Sequence, residues 1–168
     1  MENQNLLKQL DDTDKQILRV LQKHCNLKLE EIREEVEEAL QKRVPKTTIH
    51  SKIKRMENLG IIAGYRAILN HELLGKNVTA FVSLDYERLP GMTTKSAEDY
   101  IEELKTFDGV QEIFTLAGIH DILIKIKTDS VDTLAKTVLD KIRKWPGITR
   151  SVTSIVYRPH LEETRIGI

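Results

Sequence analysis

Apolar residues recur at three- and four-residue steps through the first seventy residues, and this period predicts helices there. In the stretch LDDTDKQILRVLQKHC the periodic positions are Ile17, Leu18, Leu21 and Cys25. Asp11 and Asp14 precede them at the spacing of a capping box, in which each side chain accepts a hydrogen bond from the other residue's backbone. We therefore predict that a helix begins here and that Cys25 is a small buried core residue.

Two more amphipathic segments follow the first. The segment LEEIREEVEEAL has one apolar stripe, formed by Leu29, Ile32, Val36 and Leu40. The segment PKTTIHSKIKRMENLG has another, formed by Ile49, Ile53 and Met56. Pro45 suits the first turn of this third helix, and Gly60 suits the residue just beyond its end. The next residues, IIAGYRAILN, are short and β-like around Gly64, so the first part of the chain is predicted to be a winged helix-turn-helix.

From Val78 onward the apolar period changes to two, which is typical of strands. The predicted strands are VTAFVSLDY, GVQEIFTLAG, HDILIKIKT and TRSVTSIVYRP, and the predicted helices are SAEDYIEELKTF and DSVDTLAKTVLDKIRKWPGI. Their order is β-α-β-β-α-β, the ferredoxin-like arrangement. The fold class is therefore α+β, with a helix-turn-helix domain at 1–70, a linker at 71–77 and a ferredoxin-like domain at 78–168.

A ferredoxin-like sheet has helices on one face only, so its other face needs a second role. On the third predicted strand the alternation separates Ile122, Ile124 and Ile126 from Leu123, Lys125 and Lys127. The second set is mixed in polarity, which favours an interface over a core.

Composition excludes several classes of protein. The 168 residues have zero net charge, and the single cysteine rules out an internal disulfide framework or a cysteine-built zinc site. No apolar run approaches the roughly 20 residues that span a bilayer. The start, MENQNLLKQL, lacks the pattern of a signal peptide. We expect a cytoplasmic protein with no membrane partner.

Charge is distributed unevenly although it sums to zero. Residues 41–66 contain seven basic residues and one acid, a net charge of +6, whereas the second helix has six glutamates against Arg33, a net charge of −5. The acidic helix either orients the protein by repelling phosphates or only adds solubility.

The third helix is the candidate DNA-binding element. Hydroxyl and basic groups on a recognition helix contact phosphates and base edges in the major groove of double-stranded DNA. The alternative is a solvated basic face that the acidic helix balances. The candidate DNA-binding residues are Lys42, Arg43, Lys46, Thr47, Thr48, His50, Ser51, Lys52, Lys54, Arg55 and Arg66.

Three motifs in this region resemble the Lrp/AsnC, or feast/famine, family of transcriptional regulators. The stretches are LDDTDKQIL, TTIHSKIKRMENLGII and GYRAILN. They match the family's opening helix, its recognition helix with the following glycine, and its wing. The family's second domain is a βαββαβ effector module, so the resemblance covers nearly the whole chain.

The resemblance implies a homodimer that forms through the sheet, with dimers assembling further, often to octamers. It also implies a small-molecule effector, commonly an amino acid, bound near the turn AGIHD at a contact between dimers. The candidate effector-binding residues are Gly118, Ile119, His120, Asp121, Ser151 and Thr153. Asp121 would bind the ammonium group and the backbone N–H groups of the turn the carboxylate, unless Gly118 and Asp121 only form the turn.

The sequence favours a regulator over an enzyme. The five histidines are scattered without metal-ligand spacing, and no phosphate-binding loop or nucleophile motif is present, so we expect no cofactor, no metal and no catalytic residue. Two alternatives remain: a siroheme-decarboxylase-like enzyme of the same architecture, and a partner regulator that does not itself bind DNA.

Overall fold

The computed structural model describes residues 9–87 and 96–168. Within them the chain divides into two compact units. Unit one comprises the residues up to Ile68 together with Glu162–Ile168, and unit two comprises Leu69–Leu161. The sequence placed residues 162–168 in the second domain; they belong to unit one because side chains of its first helix bind their backbone.

The helices of unit one lie where the apolar period predicts them. They are α1 (Asp12–Lys23), α2 (Leu29–Leu40) and α3 (Lys46–Asn58). The predicted capping box is present on α1, because Asp11 accepts from the amide of Asp14 and Asp14 accepts from the amide of Asp11. The helices share one core, which includes Leu10, Ile17, Leu18, Val20, Ile32, Val36, Val44, Ile49, Ile53 and Met56.

Helix α3 ends at the glycine that the sequence indicates. Gly60 has a φ of 71°, a left-handed conformation that costs glycine little. Its amide donates to the carbonyl of Glu57, and the amide of Ile61 donates to the carbonyl of Met56. This pair of bonds is a Schellman motif, and it satisfies carbonyls that the end of the helix would leave unpaired.

The β-like segment predicted at 61–70, which would be the hairpin of the winged helix-turn-helix, forms no strand. Ile61 and Ile62 pack against the core of unit one, but none of the described residues pairs with 61–70 as a strand. A hairpin needs two alternating strands around a short turn. Gly64 follows the end of α3 too closely to leave room for the first strand.

Cys25 is exposed, so its prediction as a core residue was wrong. Helix α1 ends at Lys23, and His24 is its C-cap residue. The three- and four-residue period therefore stops before it reaches Cys25, whose Sγ lies 3.6 Å from the carbonyl oxygen of Arg66.

Unit two is a ferredoxin-like α/β sandwich, which confirms the α+β fold class. Its strands are β1 (Val78–Tyr86), β2 (Val110–Thr115), β3 (Ile122–Thr128) and β4 (Ile148–Ile155), and its first helix is α4 (Ala97–Leu104). Every paired strand is antiparallel, and the order across the sheet is β2-β3-β1-β4. The two middle strands, β1 and β3, therefore supply most of the buried surface.

The second helix of this unit changes its winding along its length. It begins as α5 (Val131–Ala135), widens into a π-helical turn at Lys136–Lys141 and ends as a 3₁₀ turn at Ile142–Lys144. Leu134, Val138 and Ile142 are all buried despite these changes, so one apolar face is kept against the sheet. Pro146 and Gly147 end the helix as predicted.

The two faces of the sheet differ as the alternation predicts. Ile122, Ile124 and Ile126 are buried under the helices with Ala80, Val82 and Leu84 of β1. The opposite face carries apolar side chains that water still reaches. Phe81 and Phe114 are 36% and 45% exposed there. None of the described helices is both long and apolar enough to cross a membrane, and most of the segment used for the signal-peptide expectation lies outside the described residues.

Replacing Gly109 by alanine should destabilise unit two. Gly109 has a φ of 85°, and a Cβ there would overlap the carbonyl oxygen of Lys127, whose amide donates to the carbonyl of Gly109. We expect Gly109→Ala to lower the free energy of unfolding by roughly 2–4 kcal/mol in urea denaturation. Gly118→Ala is the matched control, since open space surrounds that position. Equal losses in the two variants would contradict this account.

Candidate functional site

Helix α3 presents a continuous exposed face opposite its buried stripe. Residues at steps of four and three share one side of a helix. Thr47, Ser51, Lys54 and Asn58 follow that spacing, and all four are exposed. Three of them were predicted as DNA-binding residues. Asn58 was missed, although its spacing from Ser51 and Lys54 could have identified it. His50 and Thr48 lie on opposite flanks of this face, which we call the α3 face.

Two of the predicted DNA-binding cations bind carboxylates at the start of α1. Lys52 Nζ lies 3.0 Å from Asp14 Oδ1 and 2.6 Å from Asp11 Oδ2. Arg55 Nη2 lies 3.0 Å from Asp14 Oδ2. The Asp14 side chain is only 1% exposed, whereas those of Lys52 and Arg55 are 19% and 45% exposed. Lys52 was predicted to face outward, and that was wrong, because a buried carboxylate requires a cationic partner.

Asp14 therefore connects the start of α1 to the middle of α3. Its carboxylate accepts from the amide of Asp11 as well as from the two cations, so it has three hydrogen-bond donors. Partial burial alone would raise the pKa of Asp11, but the hydrogen bond from Lys52 and the amide of Asp14 lower it to about 2. Burial opposes the charge on Lys52, yet its two carboxylate partners raise its pKa.

Lys46 and Lys54 are exposed, and each forms an ion pair with a glutamate that is not buried. Lys46 Nζ lies 3.2 Å from Glu30 Oε2, and Lys54 Nζ lies 2.7 Å from Glu57 Oε2. Exposed pairs of this kind contribute little to stability and exchange readily with other anions. Glu57 also accepts from the Tyr65 hydroxyl at 3.0 Å, and burial together with this bond raises the pKa of Tyr65 to about 12.

Lys42, Arg43 and Arg66 belong to the irregular segments before and after α3, and all three are exposed. No acidic group among the described residues forms an ion pair with any of them. Lys42 and Arg43 belong to the connection between α2 and α3, which begins at Gln41 with a φ of 51°. Glu37 Oε1 holds this connection by accepting from the amide of the buried Val44 at 2.8 Å.

Some glutamates of helix α2 bind amide or ammonium groups within unit one. Glu37 binds the α2–α3 connection, Glu31 accepts from the amide of Lys28 at 2.6 Å, and Glu30 pairs with Lys46. Two of the six glutamates thus have partners at the start of α3 or just before it, and a third caps the start of α2. Neither alternative from the sequence, repulsion of phosphate or solubility, accounts for these three.

The second candidate site is the loop between β2 and β3. The amide of Leu116 donates to the carbonyl of Asp121, and the amide of Asp121 donates to the carbonyl of Leu84. Asp121 Oδ2 accepts from the amide of Tyr86 at 2.9 Å, so one carboxylate oxygen fastens the loop to the end of β1. His120 Nδ1 lies 2.7 Å from Asp85 Oδ1.

Strand pairing separates the remaining candidates from this loop. Ser151 is opposite Leu84 and Thr153 is opposite Val82, so both hydroxyls share the helix-covered face of the sheet. Asp85, the partner of His120, follows Leu84 and lies on the other face. Ile119 is 90% exposed. A single chain therefore gathers Gly118–Asp121 at one end of the sheet but does not enclose them with Ser151 and Thr153.

Comparison with known proteins adds to this geometry. Residues 79–166 match the family described as the Lrp/AsnC ligand binding domain. A helix-turn-helix transcriptional regulator of Pyrococcus furiosus is 33% identical, with 92% of this chain and 97% of that protein covered. The structure of Escherichia coli AsnC has a TM-score of 0.75 at 27% identity, covering 93% and 97%. A transcriptional regulator of Neisseria meningitidis, solved with L-Met, has a TM-score of 0.84 at 24% identity, covering 94% and 96%.

Removing the Asp14 carboxylate should loosen unit one. We expect Asp14→Ala to lower the free energy of unfolding by about 2–4 kcal/mol, because the α1 cap is lost and two cations lose a buried partner. Asp12→Ala is the matched control, since Asp12 is an exposed acid in the same helical turn. Urea denaturation followed by far-UV circular dichroism measures both. If the two variants lose equal stability, Asp14 does not hold α3 in place.

Proposed function

Since the chain belongs to the Lrp/AsnC family of transcriptional regulators, we propose that it binds double-stranded DNA through the α3 face and senses a small molecule in unit two. One observation carries the DNA-binding half. The exposed residues Thr47, Ser51, Lys54 and Asn58 form one side of a helix whose other side is core and whose orientation Asp14 fixes. A rigid helix with hydroxyl, amide and ammonium groups on one side suits the major groove.

The residues around α3 divide between two tasks in this proposal. Thr47, Ser51 and Asn58 face base edges, since hydroxyl and amide groups can donate to and accept from them. The flanking cations Lys42, Arg43 and Arg66 bind phosphates and set the register on the duplex. Lys46 and Lys54 leave their exposed glutamates for phosphates, and Thr48 and His50 border the contact.

Lys52 and Arg55 act differently from the other cations. Lys52 has two carboxylate partners and little exposure, so we assign it to orienting α3 rather than to contacting DNA. Arg55 is half exposed while it binds Asp14, so its free guanidinium edge can still reach a phosphate. Most cations of this region are therefore assigned to DNA contacts, whereas Lys52 and Arg55 balance the charge of the buried Asp14 carboxylate.

We propose that the open face of the sheet is the dimer interface. Phe81 and Phe114 are partly exposed on it, beside Leu123 and an ion pair between Lys125 and Glu112. A two-fold dimer presents two α3 faces to the two halves of a palindromic site, whereas one copy of unit one can contact only one half. Further assembly of dimers, as far as an octamer, belongs to the same proposal.

The effector site is proposed at the β2–β3 loop. The loop amides of Gly118–His120 can donate hydrogen bonds to the carboxylate of an amino acid. Oδ1 of Asp121, the oxygen that does not bind the amide of Tyr86, can accept from its ammonium group. Because Ser151 and Thr153 lie across β1 from this loop, a neighbouring chain would complete the enclosure. An effector bound there changes DNA affinity only if it prefers one assembly over another. We propose that the chain acts by such binding and not by catalysis.

Replacing Arg43 by alanine should reduce the salt dependence of DNA binding. A lost phosphate contact lowers the slope of log affinity against log salt by about 1 and weakens binding to all sequences similarly. The measurement is a fluorescence-anisotropy titration, at several salt concentrations, against a duplex selected from a random pool. Lys136→Ala, an exposed site in unit two, is the charge-matched control and should leave the slope unchanged. An unaltered slope for Arg43→Ala would refute the placement of this phosphate contact.

Substitution of Asp121 should separate its two roles. Asp121→Asn keeps an oxygen for the amide of Tyr86 but removes the charge that binds an ammonium group. We expect amino-acid binding, measured by isothermal titration calorimetry against a panel of amino acids, to weaken at least about tenfold while the free energy of unfolding stays nearly constant. Asp121→Ala should lower both the affinity for the amino acid and the free energy of unfolding. Wild-type affinity in Asp121→Asn would show that this carboxylate does not bind the effector.

A further inference from the structure

The segment Glu162–Ile168 is held on helix α1 by side chains that recognise its backbone. Gln22 makes a matched pair of bonds with Ile166: its Nε2 donates to the carbonyl at 3.2 Å, and its Oε1 accepts from the amide at 2.7 Å. Arg19 donates to the carbonyl of Ile168 from Nε at 3.1 Å and from Nη2 at 2.5 Å. An amide that both donates to and accepts from one residue imitates a neighbouring β-strand.

An apolar groove lies beside this attachment. The groove has a volume of about 870 Å³ and is formed by the second half of α1, the extended segment after α3, and residues 164–168. Leu18, Leu21 and Ile62 contribute to its walls, and Ile168 packs against the core of unit one. The segment thus combines backbone hydrogen bonds with apolar side-chain burial, as an extended peptide does on a dedicated docking surface.

The chain runs between the two units twice, and the docked segment lies at the end of the second passage. The chain passes from unit one to unit two after Ile68 and returns after Leu161, so both ends of unit two lead to residues of unit one. The first passage is a permanent covalent connection. The second passage fastens the units only while Glu162–Ile168 remains docked on Arg19 and Gln22.

We propose that Arg19 and Gln22 on α1 form a docking site for the chain's own segment Glu162–Ile168, and that docking forms a second, releasable connection between the effector unit and the DNA-binding unit. Because the segment is tethered, its effective concentration at the groove is high, on the order of millimolar. Four hydrogen bonds and the packing of Ile168 then suffice to keep it bound, and the contact remains weak enough to open.

This connection does not occupy the α3 face. Arg19 and Gln22 are on α1, and the core residues of α1 lie between them and α3. Docking therefore leaves the α3 face uncovered, although Arg66, which is proposed to contact a phosphate, also lines the groove. The inference goes beyond the proposed function and can be tested without DNA, so failure of one does not imply failure of the other.

The test uses the full chain with the recognition site of a sequence-specific protease inserted between Lys76 and Asn77, and an affinity tag at residue 1. After cleavage, the tagged fragment is captured at about millimolar concentration, which matches the effective concentration of the tethered segment, and the fragment from Asn77 onward is quantified in the captured material. The test variant is Arg19→Ala with Gln22→Ala. The control is Lys15→Ala, which removes the same charge from the same helix.

We expect the wild-type and Lys15→Ala fragments to remain together and the double variant to lose at least tenfold of the captured partner. In the uncut chain, hydrogen exchange at the Ile166 amide should be at least tenfold faster in the double variant than in the wild type. Separation of the wild-type fragments would overturn the proposed connection. Retention by the double variant would show that other contacts join the units, and equal exchange at Ile166 would show that the segment is not docked.

Discussion

A single buried carboxylate determines how helix α3 is held. Asp14 is almost completely buried, so its charge must be balanced by groups that reach it through the protein. Those groups are Lys52 and Arg55 of α3, and the amide of Asp11 completes the arrangement. The same side chain thereby caps α1 and orients α3. The exposed residues of α3 can form one consistent face because this contact, together with the apolar core, fixes the rotation of the helix.

The acidic and basic halves of unit one depend on each other for a related reason. The glutamates of α2 looked like a uniform charged surface, but Glu37 binds the connection that carries Lys42 and Arg43, and Glu30 pairs with Lys46. The acids thus position the cations without neutralising all of them. Lys42 and Arg43, which have no acidic partner among the described residues, lie just before α3 in the chain, and they are among the cations proposed to bind a phosphate backbone.

In unit two the alternation of side chains has a similar double effect. One set of positions on β1 and β3 forms the core with the helices, and the other set leaves Phe81, Phe114 and Leu123 on a face that none of the described helices covers. A sheet of this topology must solvate or cover its second face. The loop at Gly118–Asp121 and the hydroxyls of Ser151 and Thr153 are likewise incomplete in a single chain. They lie on different sides of β1, so one chain does not enclose a site between them.

The sequence by itself determined the helices and strands, their order, the fold class and most of the exposed residues of α3. Periodicity and capping depend on neighbours within a few residues, which is why the Asp11–Asp14 cap and the end of α3 at Gly60 could be read directly. Only the tertiary structure decided that Lys52 turns inward, that 61–70 forms no hairpin, that Cys25 is exposed and that Glu162–Ile168 returns to unit one. The positions of Lys52 and of Glu162–Ile168 depend on partners far away in the chain, as Asp14 is from Lys52 and Gln22 from Ile166. Local patterns carry no information about such pairings, since burial and charge balance arise only when distant segments are brought together.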